Sequence, residues 1–205
     1  MGKGIIRKMI FLLCLLLASC TGTQAMHSEA SIFFTANADR SVEIFLFDGF
    51  KLNPIIRDAE VVRENVPVTE GNWFVIFFVK EDYVPAVEVL QRGRENIRLG
   101  KIRLEKTIDK GEGFLTGVVY KPVCGGKISF RKGILKLLEG VNIKVISDRG
   151  ESYLIKSGDN GVFSAPLMVG KYKIFVGDNQ KVLDVLIEEG KTTIQNLQKG
   201  IMLID

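Results

Sequence analysis

Side chains able to do chemistry are scarce in this chain and poorly spaced for it. The 205 residues hold a single histidine, His27. A serine nucleophile needs a neighbouring base, and zinc or non-haem iron sites are built from several His and carboxylate ligands. One histidine supplies neither, and His27 sits in a small, polar stretch near the N-terminus. Gly190-Lys191-Thr192-Thr193 has the ending of a phosphate-binding loop. The glycine that should stand five positions earlier is Val185, however, and the segment joins two strand-like runs, so it reads as a hairpin turn. Glu188 and Glu189 are adjacent, so in an extended chain they point to opposite faces and cannot share acid–base work. Asp148, Asp159 and Asn160 are calcium-type ligands without EF-hand spacing, and Asp159-Asn160-Gly161 has the composition of a turn. The sequence therefore predicts a protein that is not an enzyme and holds neither cofactor nor metal.

The thiols are more informative. Lys3, Arg7 and Lys8 precede an apolar run, Met9 to Leu17, which is too short to cross ~30 Å of hydrocarbon as a helix. Leu17-Ala18-Ser19-Cys20 follows. These residues match the lipobox at all four positions, and the segment resembles the signals of bacterial lipoproteins. The resemblance implies cleavage after Ser19, diacylglycerol on the Cys20 thiol and acylation of the new amino terminus. Two or three acyl chains anchor a protein stably where one does not. The alternative is an ordinary signal peptide cut near Ala25. Thr21 stands where inner-membrane lipoproteins of enteric-type bacteria carry aspartate, which leans the expected location towards the outer membrane if the host has one.

Removing residues 1–19 takes three of the 28 basic side chains and no acidic one, leaving 25 against 24. A nearly neutral mature chain predicts no nucleic-acid partner. With Cys20 lipidated, Cys124 has no intramolecular partner and there is no disulfide framework. In Val123-Cys124-Gly125-Gly126 it is either a buried, inert thiol or a bond to another chain.

Residues 20–30 read as a lipidated tether; ten flexible residues have an r.m.s. reach of roughly 17 Å. From Ser31 onward, short apolar-rich strands alternate with turn residues. Val42, Ile44 and Leu46 share one strand face, as do Val141, Ile143 and Val145, and Tyr172, Ile174 and Val176. Asp159-Asn160-Gly161 and Glu189-Gly190-Lys191 supply the positive-φ positions of tight turns. The fold class is all-β. Eight of the twelve phenylalanines left after cleavage precede residue 100, whereas 15 of the 21 glycines lie from Gly100 onward. That shift, with Asp109-Lys110-Gly111-Glu112-Gly113 between, predicts two tandem small β-sandwiches over residues 31–108 and 112–205.

A weak internal repeat supports the division. Gly71-Asn72-Trp73-Phe74-Val75 matches Gly170-Lys171-Tyr172-Lys173-Ile174 at an offset of 99, and Gly93 and Ile97 match Gly190 and Ile194 at 97. The second half carries Gly117-Val118-Val119, then Leu138-Glu139-Gly140-Val141, Asp159-Asn160-Gly161-Val162-Phe163, Gly170-Lys171-Tyr172 and Gly190-Lys191-Thr192-Thr193. In this it resembles the carboxypeptidase regulatory-like domains, and the resemblance implies a seven-stranded, transthyretin-like sandwich over roughly Gly113 to Asp205. Zinc peptidases, to which such domains are often attached, need ligands that this chain lacks. Residues 31–108 match only the later part of the pattern.

Two apolar features point to partners. Trp73 to Val79 is apolar on both strand faces, whereas a sheet wet on one side would alternate. Either the other domain or another protein covers its second face, which makes Trp73 and Phe77 candidate partner contacts beside Cys124. Ile134-Leu135-Lys136-Leu137-Leu138 forms a loop helix or a strand on the core, or else a docking patch. The reading that follows is a lipid-anchored envelope protein acting as a scaffold for a protein partner. Carbohydrate binding is the alternative, with Tyr120 and Tyr153 as its candidate stacking residues. Cys20→Ser is expected to move the protein from the membrane to the soluble fraction; unchanged membrane fractionation would refute lipidation.

Overall fold

The computed structural model describes residues 29–34, 42–49, 51–55, 62–67, 73–91, 97–99, 102–106, 109–125, 133–177, 182–200 and 202–204, and every structural statement below concerns these. The signal segment, Cys20 and His27 lie outside them. Among the described residues all regular structure is β-strand, in two halves whose strand pairings follow one order.

The first half has strands β1 (Glu29–Phe34), β2 (Glu43–Phe47), β3 (Leu52–Ile55), β4 (Val62–Pro67), β5 (Trp73–Val79), β6 (Ala86–Gln91) and β7 (Ile97–Leu99). β1 pairs antiparallel with β4 and parallel with β7. A second set of strands runs β3-β2-β5-β6, antiparallel throughout. In the second half β8 (Glu112–Gly125) pairs antiparallel with β12 (Val162–Met168) and parallel with β15 (Thr192–Ile194). Its opposing layer runs β11 (Ser152–Lys156), β10 (Asn142–Ser147), β13 (Gly170–Val176), β14 (Val182–Ile187). Strand for strand, the pairings and directions repeat those of the first half. The matched Trp73 and Tyr172 segments open β5 and β13, and Ile97 and Ile194 lie in β7 and β15, which occupy equivalent places.

The expected alternation fixes which faces are buried. Val42, Ile44 and Leu46 pack with Phe74, Ile76, Phe78 and Leu90 in the first core. Val141, Ile143, Val145, Tyr172, Ile174 and Val176 meet Leu115, Val119, Phe163 and Leu167 in the second. Gly161 and Gly190 take φ of +70° and +69°, the turn conformations that side chains resist. Gly190-Lys191 is not a hairpin turn, though. β14 belongs to the four-stranded layer and β15 to β8, so the segment carries the chain from one sheet to the other. Adjacency in sequence does not require adjacency in a ladder, and a sandwich closes by such crossings.

Three elements have no counterpart in the first half. β9 (Ile134–Leu137) is the Ile134 to Leu138 run, and it forms a strand that joins the two halves. It pairs with β8 at Tyr120 to Pro122 and touches β5 through Trp73 and Ile134. β16 (Leu197–Gln198) and β17 (Met202–Ile204) follow β8 along its other edge. The result is a ten-stranded sheet shared by both halves.

A third core fills the join. Phe47, Val75, Phe77 and Val79 from the first half pack with Val118, Tyr120 and Ile134 from the second. The Phe47 and Tyr120 rings meet edge-on, their centroids 5.1 Å apart at 76°. Gly49 lies so close to the backbone of Gly133 that a Cβ there would collide, which lets the loop after β2 seat against the start of β9. The Asp82 amide donates to the Gly190 carbonyl at 2.8 Å, a further link between halves. Phe77 is wholly buried in this core, so Phe77→Ala leaves a cavity and is expected to cost about 3–5 kcal/mol of unfolding free energy in urea titration; a loss under ~1 kcal/mol would show that the join is not packed.

Candidate functional site

The residues singled out in the sequence end in different places. Phe77 has no exposed surface, and Trp73, half-buried, packs at the edge of the same core. The second face of the Trp73 to Val79 run is thus covered from within the chain, by β8 and β9. Cys124 lies in β8 with its backbone opposite Leu203 of β17; its side chain, like Cys20, is outside the described residues. Tyr120 is buried against Phe47, and burial, with the Asp48 carboxylate adding to it, raises its phenol above the usual range. Tyr153 stands edge-on to Tyr172 and donates its hydroxyl to Glu151 Oε2 at 3.1 Å, a hydrogen bond that raises its pKa. The Tyr120 ring is covered by the join, whereas the Tyr153 ring is half-exposed.

Three buried hydroxyls serve the backbone, whereas the buried Thr192 Oγ1 has no hydrogen-bond partner among the described residues. Thr116 donates to the Phe163 carbonyl at 3.0 Å. Ser157 accepts from the Val141 amide at 2.9 Å and donates to the Leu138 carbonyl at 2.7 Å. Ser147 accepts from the Glu151 amide at 3.0 Å. Among the described residues no three His, Cys, Asp or Glu side chains are grouped as metal ligands. A polar cleft of about 500 Å³ lies at the join, lined by Glu43, Lys80, Glu81, Asp82, Lys191 and Thr192. Lys191 is held there by an ion pair with Glu188 at 3.0 Å.

The surface best suited to binding is one that the sequence reading did not single out: the outer face of the β11-β10-β13-β14 layer. Its inward residues complete the second core, so whatever points outward is free of packing duty. The ladder places Leu154, Lys144, Phe175 and Val182 in one row across the four strands. Ser152, Ile146, Lys173 and Asp184 form the next row, and Lys171 stands opposite Leu186 beyond it. Leu154, Leu186 and Val182 are 71%, 52% and 41% exposed, although large apolar residues on a wet sheet face normally give way to polar ones. Ile146, Lys171, Lys173, Asp184 and Leu186 line a trough of about 580 Å³. Lys144, Lys156, Lys171 and Lys173 are all exposed on this face, against Asp184 and, at the rim, Asp148. The signal was present in the sequence. Once Val145 and Ile174 are assigned inward, Ile146, Lys173 and Phe175 must point outward.

No protein-family model matches the sequence. A search of curated proteins also finds no match. Among solved structures, the chain is similar to the TIE protein of Bacillus anthracis, with 15% identity and a TM-score of 0.33 over 82% of this chain and 33% of that one. It is similar to the minor pilin of the Gram-positive pathogen Streptococcus agalactiae, with 11% identity and a TM-score of 0.32 over 82% of this chain and 94% of that one. It is also similar to the major pilin subunit of Bacillus cereus, with 12% identity and a TM-score of 0.33 over 82% and 58% of the respective chains. The chain thus spans about a third of the first of these proteins and little more than half of the third.

Proposed function

We propose that this is a non-enzymatic protein of the bacterial cell envelope, anchored by lipid on Cys20 and acting as a scaffold that holds a protein partner at the membrane. Residues 20–30 are its tether, and residues 31–108 and 112–205 are its two sandwich units, the second of the carboxypeptidase regulatory-like kind. The Leu17-Ala18-Ser19-Cys20 motif supports the anchor. The outer membrane is the expected site where the host has one.

The observation that carries the scaffold reading is the exposed apolar face of the four-stranded layer. A core complete beneath it has no use for Leu154 or Leu186 at 71% and 52% exposure, and apolar patches rimmed by charge mark surfaces that meet other proteins. A trough on a sheet, apolar at Ile146 and Leu186 and edged by Lys171, Lys173 and Asp184, suits docking of an extended segment. Carbohydrate binding has less support, because Tyr120 is buried against Phe47 and leaves half-exposed Tyr153 as the one remaining candidate ring.

Photo-crosslinking in cells from position 186 is expected to yield one discrete protein adduct. Adding Leu154→Asp should abolish that adduct, while the folded state stays within about 0.5 kcal/mol of the parent because both sites are exposed. No adduct, or the same adduct despite Leu154→Asp, would contradict docking through this face.

A further inference from the structure

We infer that the occupant of this face is an acidic, extended segment of a partner protein, laid along β13 over Lys171 and Lys173. The inference rests on the scaffold reading and names the chemistry of its partner. Lys171 and Lys173 are two residues apart on one strand and both are exposed, which spaces their stems by about 6.6 Å. The same repeat separates alternate side chains of any extended chain, so carboxylates at alternate positions meet both lysines in register. Lys144 on β10, one row from Lys173, continues the positive strip. Ile146 and Leu186 flank it and supply apolar contact for a segment whose acidic residues alternate with apolar ones. Asp184, opposite Lys173 in the ladder, limits the charge but does not cancel it: four lysines face two aspartates.

Two other occupants fit less well. A second copy would set lysines against lysines. A lipid surface has charge on its side, but the tether precedes β1, in the first half of the chain, and this face points away from the first-half strands that meet β8. The inner side of the four-stranded layer packs on β8 and β12, whereas the opposite side of β8 meets the first half.

The test uses the full mature chain, kept free of lipid by Cys20→Ser and labelled with nitrogen-15. Its amide shifts are followed during addition of a soluble ten-residue peptide of alternating Glu and Leu. A peptide of alternating Lys and Leu, and vesicles of phosphatidylcholine with 30% phosphatidylglycerol (about one anionic lipid in three), serve as comparisons. The acidic peptide is expected to shift the amides of Lys171, Lys173 and Leu186, with affinity falling as salt rises. Lys171→Glu with Lys173→Glu should weaken it at least tenfold, about 1.4 kcal/mol. Equal binding of the basic peptide would overturn the charge assignment, and preferential binding of the vesicles would replace the partner with lipid. Dimerisation in sedimentation that hides the face would replace it with a second copy. An adduct in cells from position 186 without selectivity for the acidic peptide refutes this inference alone; absence of any adduct refutes the scaffold reading beneath it.

Discussion

One strand is asked to serve two cores, and most of the architecture follows from that demand. From Gly113 to Tyr120 every residue of β8 is buried. Leu115 and Val119 point into the second sandwich, while Val118 and Tyr120 point out of its back into the join. A strand buried on both faces needs every backbone group paired and apolar cover on either side. β12 and β9 share one edge of β8, and β15, β16 and β17 follow the other. The second demand is met by β5, the other strand buried on both faces, whose side chains divide between the first core and the join. The two sandwiches are therefore not beads on a linker. Separating them would bare Phe77 and Val75 on one side and Val118 and Ile134 on the other, each now fully buried. That area is an aggregation hazard in an isolated half.

The sequence was most legible where a single period governs burial. Alternation in Val42-Ile44-Leu46 and in Tyr172-Ile174-Val176 gives the buried face because each strand has one wet side. The repeat at 99 residues is faint in side chains but complete in topology, since it preserves the places of β5 and β13. The apolar run from Trp73 to Val79 announces a covered second face and leaves open what covers it. That answer depends on β9, four residues whose pattern fits a helix, a strand or a patch, and which become a strand by pairing with β8 and β5.

The candidate surface was hidden for a different reason. Reading for cores selects inward positions, and Lys171, Lys173 and Leu186 are the residues left over. A lone exposed leucine carries no message, whereas Leu154, Val182 and Leu186 together on one face do. The ladder registers, which no local pattern encodes, bring together residues up to 42 positions apart, from Lys144 to Leu186. The same absence of convergent chemistry is visible in the buried hydroxyls. Thr116, Ser147 and Ser157 each close a hydrogen bond with the backbone, so their burial stabilises strands and turns.

The claim that a packed core joins the two halves is tested most directly through Trp73, the only tryptophan in the chain, which sits where β5 meets β9. Urea unfolding of the full mature chain should be followed at once by tryptophan fluorescence and by far-ultraviolet circular dichroism, the first reporting the join and the second all the strands. A shared core predicts a single transition with the same midpoint by both probes. A tryptophan transition complete while much of the β signal persists would show that the halves unfold separately, and would contradict the account.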